Sequence, residues 1–219
     1  MRFFSYDSKF SQFMLKFCNC RYLSLLWMLC ALPVFTAGAA TAALYDVTLR
    51  IARNEDPPVT SRFFKAFRAN FRQATVLWLI LLALGLLLGL DGFILYRLYK
   101  TSEGLLGIVC TIGLALIIVA AVAYAIVLMY VFPLVASVEN TNWAMLKNAL
   151  FIGLRYLFCS ILLFAIHFAV FFVVVAVFTP ILFFGAGLCA ILSSYLLNNV
   201  IQACASHPEE AALPEESTL

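Results

Sequence analysis

The sequence predicts an all-α integral membrane protein with several transmembrane helices. Of its 219 residues, 65% are hydrophobic and only 11% are charged, whereas a soluble domain carries about 25% charged residues. No Asp, Glu, Lys or Arg occurs in residues 22–45, 73–90, 104–138 and 156–208, and a helix needs about 20 apolar residues to cross a bilayer. This composition excludes a soluble enzyme and a nucleic-acid-binding protein, because too little chain remains for a separate polar domain.

Residues 1–21 predict an amphipathic helix that lies in the membrane interface. Its apolar side chains follow the i, i+3, i+4, i+7 spacing of one helical face: Phe10, Phe13, Met14 and Phe17. Such a face rests in the lipid surface. A cleaved signal peptide is the alternative, since an apolar run and Ala37-Gly38-Ala39 follow a basic start. The long, Phe-rich start favours the interfacial helix.

Residues 22–53 predict a helical hairpin broken by proline. Pro33 interrupts the apolar run, because proline removes a helical donor and clashes with the preceding turn. Thr36 is a suitable N-cap for a second helix. Two helical segments are therefore expected, at about 20–32 and 36–53.

A second amphipathic helix is predicted over residues 61–73, after the turn at residues 54–58. One side carries aromatic residues, Phe64, Phe67 and Phe71, and the other carries basic residues, Arg62, Lys65, Arg68 and Arg72. Basic side chains of this kind contact anionic lipid headgroups or a partner protein.

Residues 74–206 predict a bundle of four transmembrane helices, so that residues 1–206 form a single helical membrane domain. The four helices are expected near 74–96, 105–132, 156–178 and 181–205. A polar connection (91–103), Pro133, a loop with room for a short helix (136–155) and Thr179-Pro180 separate them. The acidic tail, residues 207–219, is expected to be disordered.

The distribution of Lys and Arg favours the hairpin over a fifth span. If residues 22–44 cross the membrane, the two sides hold six and eight positive charges. If they re-enter, the cytoplasmic side holds twelve and the other side two, which is the asymmetry that the positive-inside rule describes. The prediction is four full spans plus a hairpin, with both termini cytoplasmic; five spans are the alternative.

The N-terminal third resembles the YesL-like family of uncharacterised bacterial integral membrane proteins. The matching segments are Tyr6-Asp-Ser8, Leu26-Trp-Met-Leu-Cys-Ala-Leu-Pro33, Thr36-Ala-Gly38, Thr41-Ala-Ala-Leu-Tyr45 and Phe63-Phe-Lys-Ala-Phe-Arg-Ala-Asn70-Phe-Arg-Gln-Ala74. The resemblance covers about residues 1–80 and is compositional thereafter. Members are often encoded near carbohydrate uptake systems and sensor–regulator pairs. The resemblance therefore implies a multi-pass protein of the bacterial cytoplasmic (inner) membrane that partners a sugar permease or a sensor kinase.

The break after Pro33 is one candidate ligand site. A half-helix that starts near Thr36 would direct its N–H groups into the bundle, as broken helices of transporters do to hold anionic groups. Gly38 would allow a ligand to approach the backbone, and Thr41 lies one turn further on. The alternative is that the small residues here only pack the hairpin against other helices.

Four further polar residues within or beside apolar segments complete the candidate set, because such groups mark functional sites in membranes. They are Asp46, His167, Asn198 and Gln202. Each has a structural alternative. Asp46 could pair with Arg50 at i+4, His167 could bond to a neighbouring helix, and the two amides could join helices.

Two function classes follow, and neither is enzymatic. No nucleophile–base pair, phosphate loop or metal-ligand cluster stands out in the sequence, and no cofactor or metal is expected. The first class is an accessory or regulatory protein that docks on a transporter or sensor through its basic, aromatic surface. The second is a small-solute transporter or channel that acts as a homo-oligomer. The small size favours the accessory role.

Overall fold

The computed structural model describes residues 9–55, 58–101, 103–176 and 182–206, which are helical apart from short connections. The helices are α1 (Lys9–Ala31), α2 (Ala37–Ala52), α3 (Val59–Thr101), α4 (Leu105–Ser137), α5 (Asn142–Arg155), α6 (Leu157–Ala176) and α7 (Leu182–Ser206), and a 3-10 turn (Val34–Thr36) precedes α2. The predicted all-α fold is confirmed. The tail (207–219) and Thr179-Pro180 lie outside the described residues.

Two helices, α3 and α4, are long and apolar enough to cross a membrane within the described part of the chain. A third candidate is α5 together with residues 157–173 of α6, which are bent by 99° where they meet. Length and composition thus support a membrane protein with two or three candidate spans, where the sequence predicts four.

The chain reverses direction between α1 and α2, at the predicted break. Trp27 Nε1 donates a hydrogen bond of 3.0 Å to Thr41 Oγ1, fourteen residues further on. In one continuous helix these residues would lie about 21 Å apart, so α1 and α2 are the two arms of a hairpin. Trp78 Nε1 donates to Val34 O at 2.7 Å and fixes the tip of this hairpin to α3.

One detail of the predicted hairpin is wrong. Residues 9–21, part of the predicted interfacial helix, continue into the first arm as one helix, α1. Thr36 does not cap α2 through its side chain, because its backbone is already helical (φ −89°, ψ −6°). Its Oγ1 instead lies within hydrogen-bond distance of Cys30 O (2.6 Å) and Pro33 O (2.7 Å). Pro33 O already accepts from Thr36 N, whereas Cys30 O is a carbonyl that the end of α1 leaves open.

The centre of the bundle is α2. It packs against α1, α3, α4 and α7, and 13 of its 16 residues are buried. A helix whose side chains are apolar or small on nearly every face is typical of a bundle interior. The Ala and Gly residues of its first half let the neighbouring backbones approach closely.

The helix α3 joins the predicted basic segment to the predicted first span without a break. Its 43 residues extend about 64 Å at 1.5 Å per residue, about twice the thickness of the hydrocarbon core. Most of the predicted connection 91–103 is helical, because exposed charges such as Asp91 and Arg97 do not interrupt a helix. The chain turns only at Gly104, whose φ of +69° favours glycine.

The prediction that Pro133 ends the next helix is also wrong, since α4 continues to Ser137. Proline removes one backbone donor from a helix, but buried neighbours such as Val131 and Val135 hold this segment in place. Ser137 Oγ donates to Pro133 O at 2.8 Å. The following loop contains a helix, α5, as the sequence allows.

Gly38→Ala is expected to lower stability, because a Cβ at this position would lie 2.5 Å from Trp78 Cβ and 2.6 Å from Ala74 O on α3. Neither atom ends a flexible side chain, so the two helices must separate, at a cost of about 1–3 kcal/mol. Gly89→Ala is the matched control, since a Cβ there meets nothing within 4 Å. It should stabilise α3 by about 0.5–1 kcal/mol. Thermal unfolding in detergent measures both; equal melting temperatures would contradict the close packing of α2 on α3.

Candidate functional site

An ion pair links the second half of α2 to the start of α3. The Asp46 side chain is only 7% exposed and accepts two hydrogen bonds from Arg62, Nε to Oδ2 at 2.6 Å and Nη2 to Oδ1 at 2.8 Å. This bidentate geometry is the strongest that a carboxylate and a guanidinium can adopt. The predicted partner, Arg50, lies at 3.7 Å and is the weaker contact.

This pairing changes the role of Arg62. The hydrogen bond to Asp46 raises the pKa of Arg62 above its usual value, although partial burial of the guanidinium acts in the opposite direction. The acidic side chain of a buried helix thus has its counter-charge within the protein. Arg62 was expected at a lipid or partner surface and is half-buried against α2 instead, whereas Lys65, Arg68 and Arg72 are exposed.

Asn198 and Gln202 lie on α7 beside the end of α2. Arg53 Nε donates to Asn198 Oδ1 at 2.9 Å, and Gln202 Nε2 lies 3.4 Å from the same oxygen. Arg50 Nη1 donates to Glu55 Oε2 at 2.8 Å on the exposed surface nearby. These contacts place polar groups of α2 and α7 together at one end of the bundle.

Two buried hydrogen bonds hold α7 against the hairpin. Thr48 Oγ1 and Ser194 Oγ lie 2.8 Å apart between α2 and α7. Ser24 Oγ on α1 accepts a hydrogen bond of 2.8 Å from Gly187 N. Small hydroxyl residues within charge-free helices were the available signal, because such residues join helices in membranes.

Thr41 and His167 line an apolar cavity between α1, α2, α6 and α7, here named the His167 cavity. Its volume is about 580 Å³. Its walls are formed by Trp27, Met28, Thr41, Leu44, Tyr45, His167, Val170, Phe171, Gly185, Ala186, Cys189 and Ala190. His167 Nδ1 lies 2.9 Å from Leu163 O on its own helix, so this ring nitrogen bonds one turn back and not to a neighbouring helix.

The candidate ligand residues therefore fall in three separate places. Thr36 and Gly38 pack the hairpin on itself and on α3. Thr41 and His167 face the His167 cavity. The remaining residues, Asp46, Asn198 and Gln202, belong to the polar end of the bundle. Within the described ranges, no three His, Cys, Asp or Glu side chains lie close enough together to hold a metal ion.

A double-mutant cycle on Asp46→Asn and Arg62→Gln should give a coupling energy of about 1.5–3 kcal/mol, since two hydrogen bonds between charged groups are lost. The control cycle uses Arg50→Gln and Glu55→Gln, an exposed pair whose side chains are 36% and 45% accessible. Its coupling should stay below about 1 kcal/mol. The free energy of unfolding in detergent is the measurement. Equal coupling in the two cycles would show that the Asp46 pair is no more than a surface contact.

Comparison with known proteins supports the resemblance in the N-terminal third. A family model described as "Protein of unknown function, DUF624" matches residues 21–92, a range that contains α2 and the Asp46–Arg62 pair. The chain is 29% identical over 179 residues to "Uncharacterized protein YesL" of Bacillus subtilis (strain 168), which covers 80% of this chain and 81% of that protein.

It is also 26% identical over 205 residues to "Uncharacterized protein YteU" of the same organism, which covers 90% of this chain and 89% of that protein. No solved structure matches the chain. The predicted resemblance to the YesL-like family is thus confirmed.

Proposed function

We propose that the chain is a membrane-embedded, non-catalytic accessory or regulatory protein of the bacterial cytoplasmic membrane, which docks on a carbohydrate uptake or sensing system. The observation that carries this proposal is the exposed basic surface of α3, formed by Lys65, Arg68 and Arg72. The carbohydrate link rests on the family resemblance. The proposed partner is a sugar permease or a sensor kinase. Anionic lipid headgroups contact the edge of the same basic surface.

The basic surface has the composition of a contact surface. Its three cationic side chains recur at i, i+3 and i+7, on one face of the helix. Each contributes roughly 1 kcal/mol of binding free energy near an anionic membrane. Phe64 (41% exposed) and Phe71 (37% exposed) lie beside them, and aromatic residues are enriched at protein interfaces. Arg62 is not counted, because it is engaged by Asp46.

The hairpin supports the part of the proposed topology that places both basic segments, residues 1–21 and 61–73, in the cytoplasm; four spans with both termini cytoplasmic remain the proposed placement. Thr60 Oγ1, at the start of α3, donates a hydrogen bond of 3.0 Å to Tyr22 Oη on α1. The two basic segments on either side of the hairpin therefore emerge at the same end of the bundle. Placing both in the cytoplasm satisfies the positive-inside rule.

The alternative, a homo-oligomeric transporter or channel, receives less support from the described residues. A polar solute needs unengaged polar groups along its route, whereas Thr41 and Thr48 bond to other parts of the bundle. The His167 cavity is lined mainly by apolar side chains, which disfavours a sugar or an anion as its ligand.

Cysteine labelling tests the placement. In a background without native cysteine, Glu103→Cys at the turn after α3 should react with an impermeant thiol reagent in intact cells. Glu55→Cys should react only after the cells are permeabilised, because the hairpin returns to the cytoplasmic side. Labelling of Glu55→Cys in intact cells would restore the five-span topology.

Photo-crosslinking in living cells tests the docking surface. A benzophenone side chain at Phe64 or Phe71 should form adducts with a sugar permease or a sensor kinase. These adducts should fall by about tenfold when Lys65, Arg68 and Arg72 are all replaced by Gln, because a loss of about 1.4 kcal/mol in docking free energy is a factor of ten. Phe168, on α6 and 60% exposed, is the matched control site and should give lipid adducts.

Two observations would together replace the accessory role by the transporter class. If Phe64 and Phe71 give only lipid adducts, the accessory role fails. If the purified protein alone also carries a labelled sugar across proteoliposome membranes, the transporter class replaces it.

A further inference from the structure

We propose that the His167 cavity binds a single-chain membrane amphiphile that carries a hydroxyl group, of the fatty-alcohol or monoacylglycerol class. This inference goes beyond the proposed function, because the cavity lies between α1, α2, α6 and α7, away from the basic surface of α3. Its volume of about 580 Å³ falls within the range of about 300–1,000 Å³ that is typical of small-molecule sites.

The lining selects a hydrocarbon over a polar ligand. Leu44, Val170, Phe171 and Ala190 contribute apolar walls, and transfer of an unpaired polar group into such surroundings costs roughly 1–3 kcal/mol in proteins. An apolar lining of this kind favours a hydrocarbon ligand over a polar one. The main body of the ligand is therefore an alkyl chain.

The cavity is reached from the lipid side. Phe171, in its wall, is 65% exposed, and the neighbouring Phe168 and Phe172 on α6 are each 60% exposed. On α1, Leu25 and Leu29 are 43% and 62% exposed. The segments that carry these side chains, 22–45 and 156–208, contain no charged residue. A surface of this composition faces hydrocarbon, so the ligand enters from the bilayer.

His167 supplies the polar contact that distinguishes an alcohol from an alkane. Because Leu163 O can only accept, the His167 Nδ1 atom at 2.9 Å must be the donor. In the tautomer that carries its proton on Nδ1, Nε2 keeps a lone pair that can accept a hydrogen bond from a ligand hydroxyl. Thr41 Oγ1 is already engaged, since it donates to Ala37 O and accepts from Trp27 Nε1.

Trp27 lies in the cavity wall and can report binding. Full-length protein that keeps Trp27, with Trp78→Phe and Trp143→Phe, is placed in phosphatidylcholine nanodiscs and titrated with dibromo-octadecanol, whose bromine atoms quench tryptophan on contact. Quenching should saturate and be reversed by unlabelled octadecanol. Dibromo-octadecane, which lacks the hydroxyl group, should bind about tenfold more weakly, as expected for one hydrogen bond.

Two variants locate the site. Ala186→Phe fills the cavity and should abolish saturable quenching, whereas Leu192→Phe, on the same helix but 42% exposed and outside the lining, should leave it unchanged. His167→Phe should bring the affinities for the alcohol and the alkane to the same value without abolishing binding. A merely structural role for His167 would not change this ratio.

The control protein keeps only Trp143, which is 67% exposed on α5, and should show quenching in proportion to the amount of brominated lipid. The same proportional quenching for Trp27, unaffected by Ala186→Phe, would overturn the proposal, because it would report general contact with lipid. Equal affinity of the wild-type cavity for alcohol and alkane would overturn the role of His167 and the ligand class with it. Neither outcome depends on partner docking, so this test and the crosslinking test fail independently.

Discussion

Burial of most of α2 requires that the polar side chains on its buried faces find partners inside the protein, because an unpaired buried charge costs several kcal/mol. Three such side chains meet this requirement through three different helices. Asp46 bonds to α3, Thr48 to α7 and Thr41 to α1. Apolar packing leaves helices free to rotate or slide by small amounts, whereas these directional contacts fix the rotation of α2 relative to its neighbours. The arrangement of the whole bundle depends on them.

The two halves of α2 contribute to packing in different ways. The first half consists mostly of alanine and glycine, and at Gly38 the backbone of α3 approaches so closely that a methyl group does not fit. The second half carries larger side chains, such as Val47 and Leu49, together with the ion pair to Arg62. Close backbone contact therefore fixes α2 at the tip of the hairpin, and side-chain bonding fixes it at the opposite end. The His167 cavity lies between these regions, beside Thr41 and Tyr45.

Features that depend on local sequence could be predicted, and features that depend on tertiary contacts could not. The break near Pro33 and the continuity of α3 from its basic segment follow from residue type and spacing. Pro133 was expected to end a helix by the same local rule, but packing of α4 overrode it. The Asp46–Arg62 pair could not be predicted from the sequence, because Arg50 lies one helical turn from Asp46 and is the obvious partner. Only the tertiary fold brings Arg62 closer to Asp46 than Arg50 is. Likewise, residues predicted as one ligand site separate because spacing along a helix does not reveal which neighbours it meets.

The contacts between α7 and the hairpin have a consequence for the order in which the chain can assemble. Ser24, Thr48 and Arg53 bond to residues of α7 that are separated from them by 163, 146 and 145 positions. The hairpin leaves the ribosome first, and its last partner leaves nearly at the end of synthesis. Until then Ser24 Oγ and Thr48 Oγ1 can bond to carbonyls one turn back on their own helices, Cys20 O and Leu44 O. The hairpin can therefore form before α7 is synthesised, and its bonds to α7 are the last contacts of the bundle to be made.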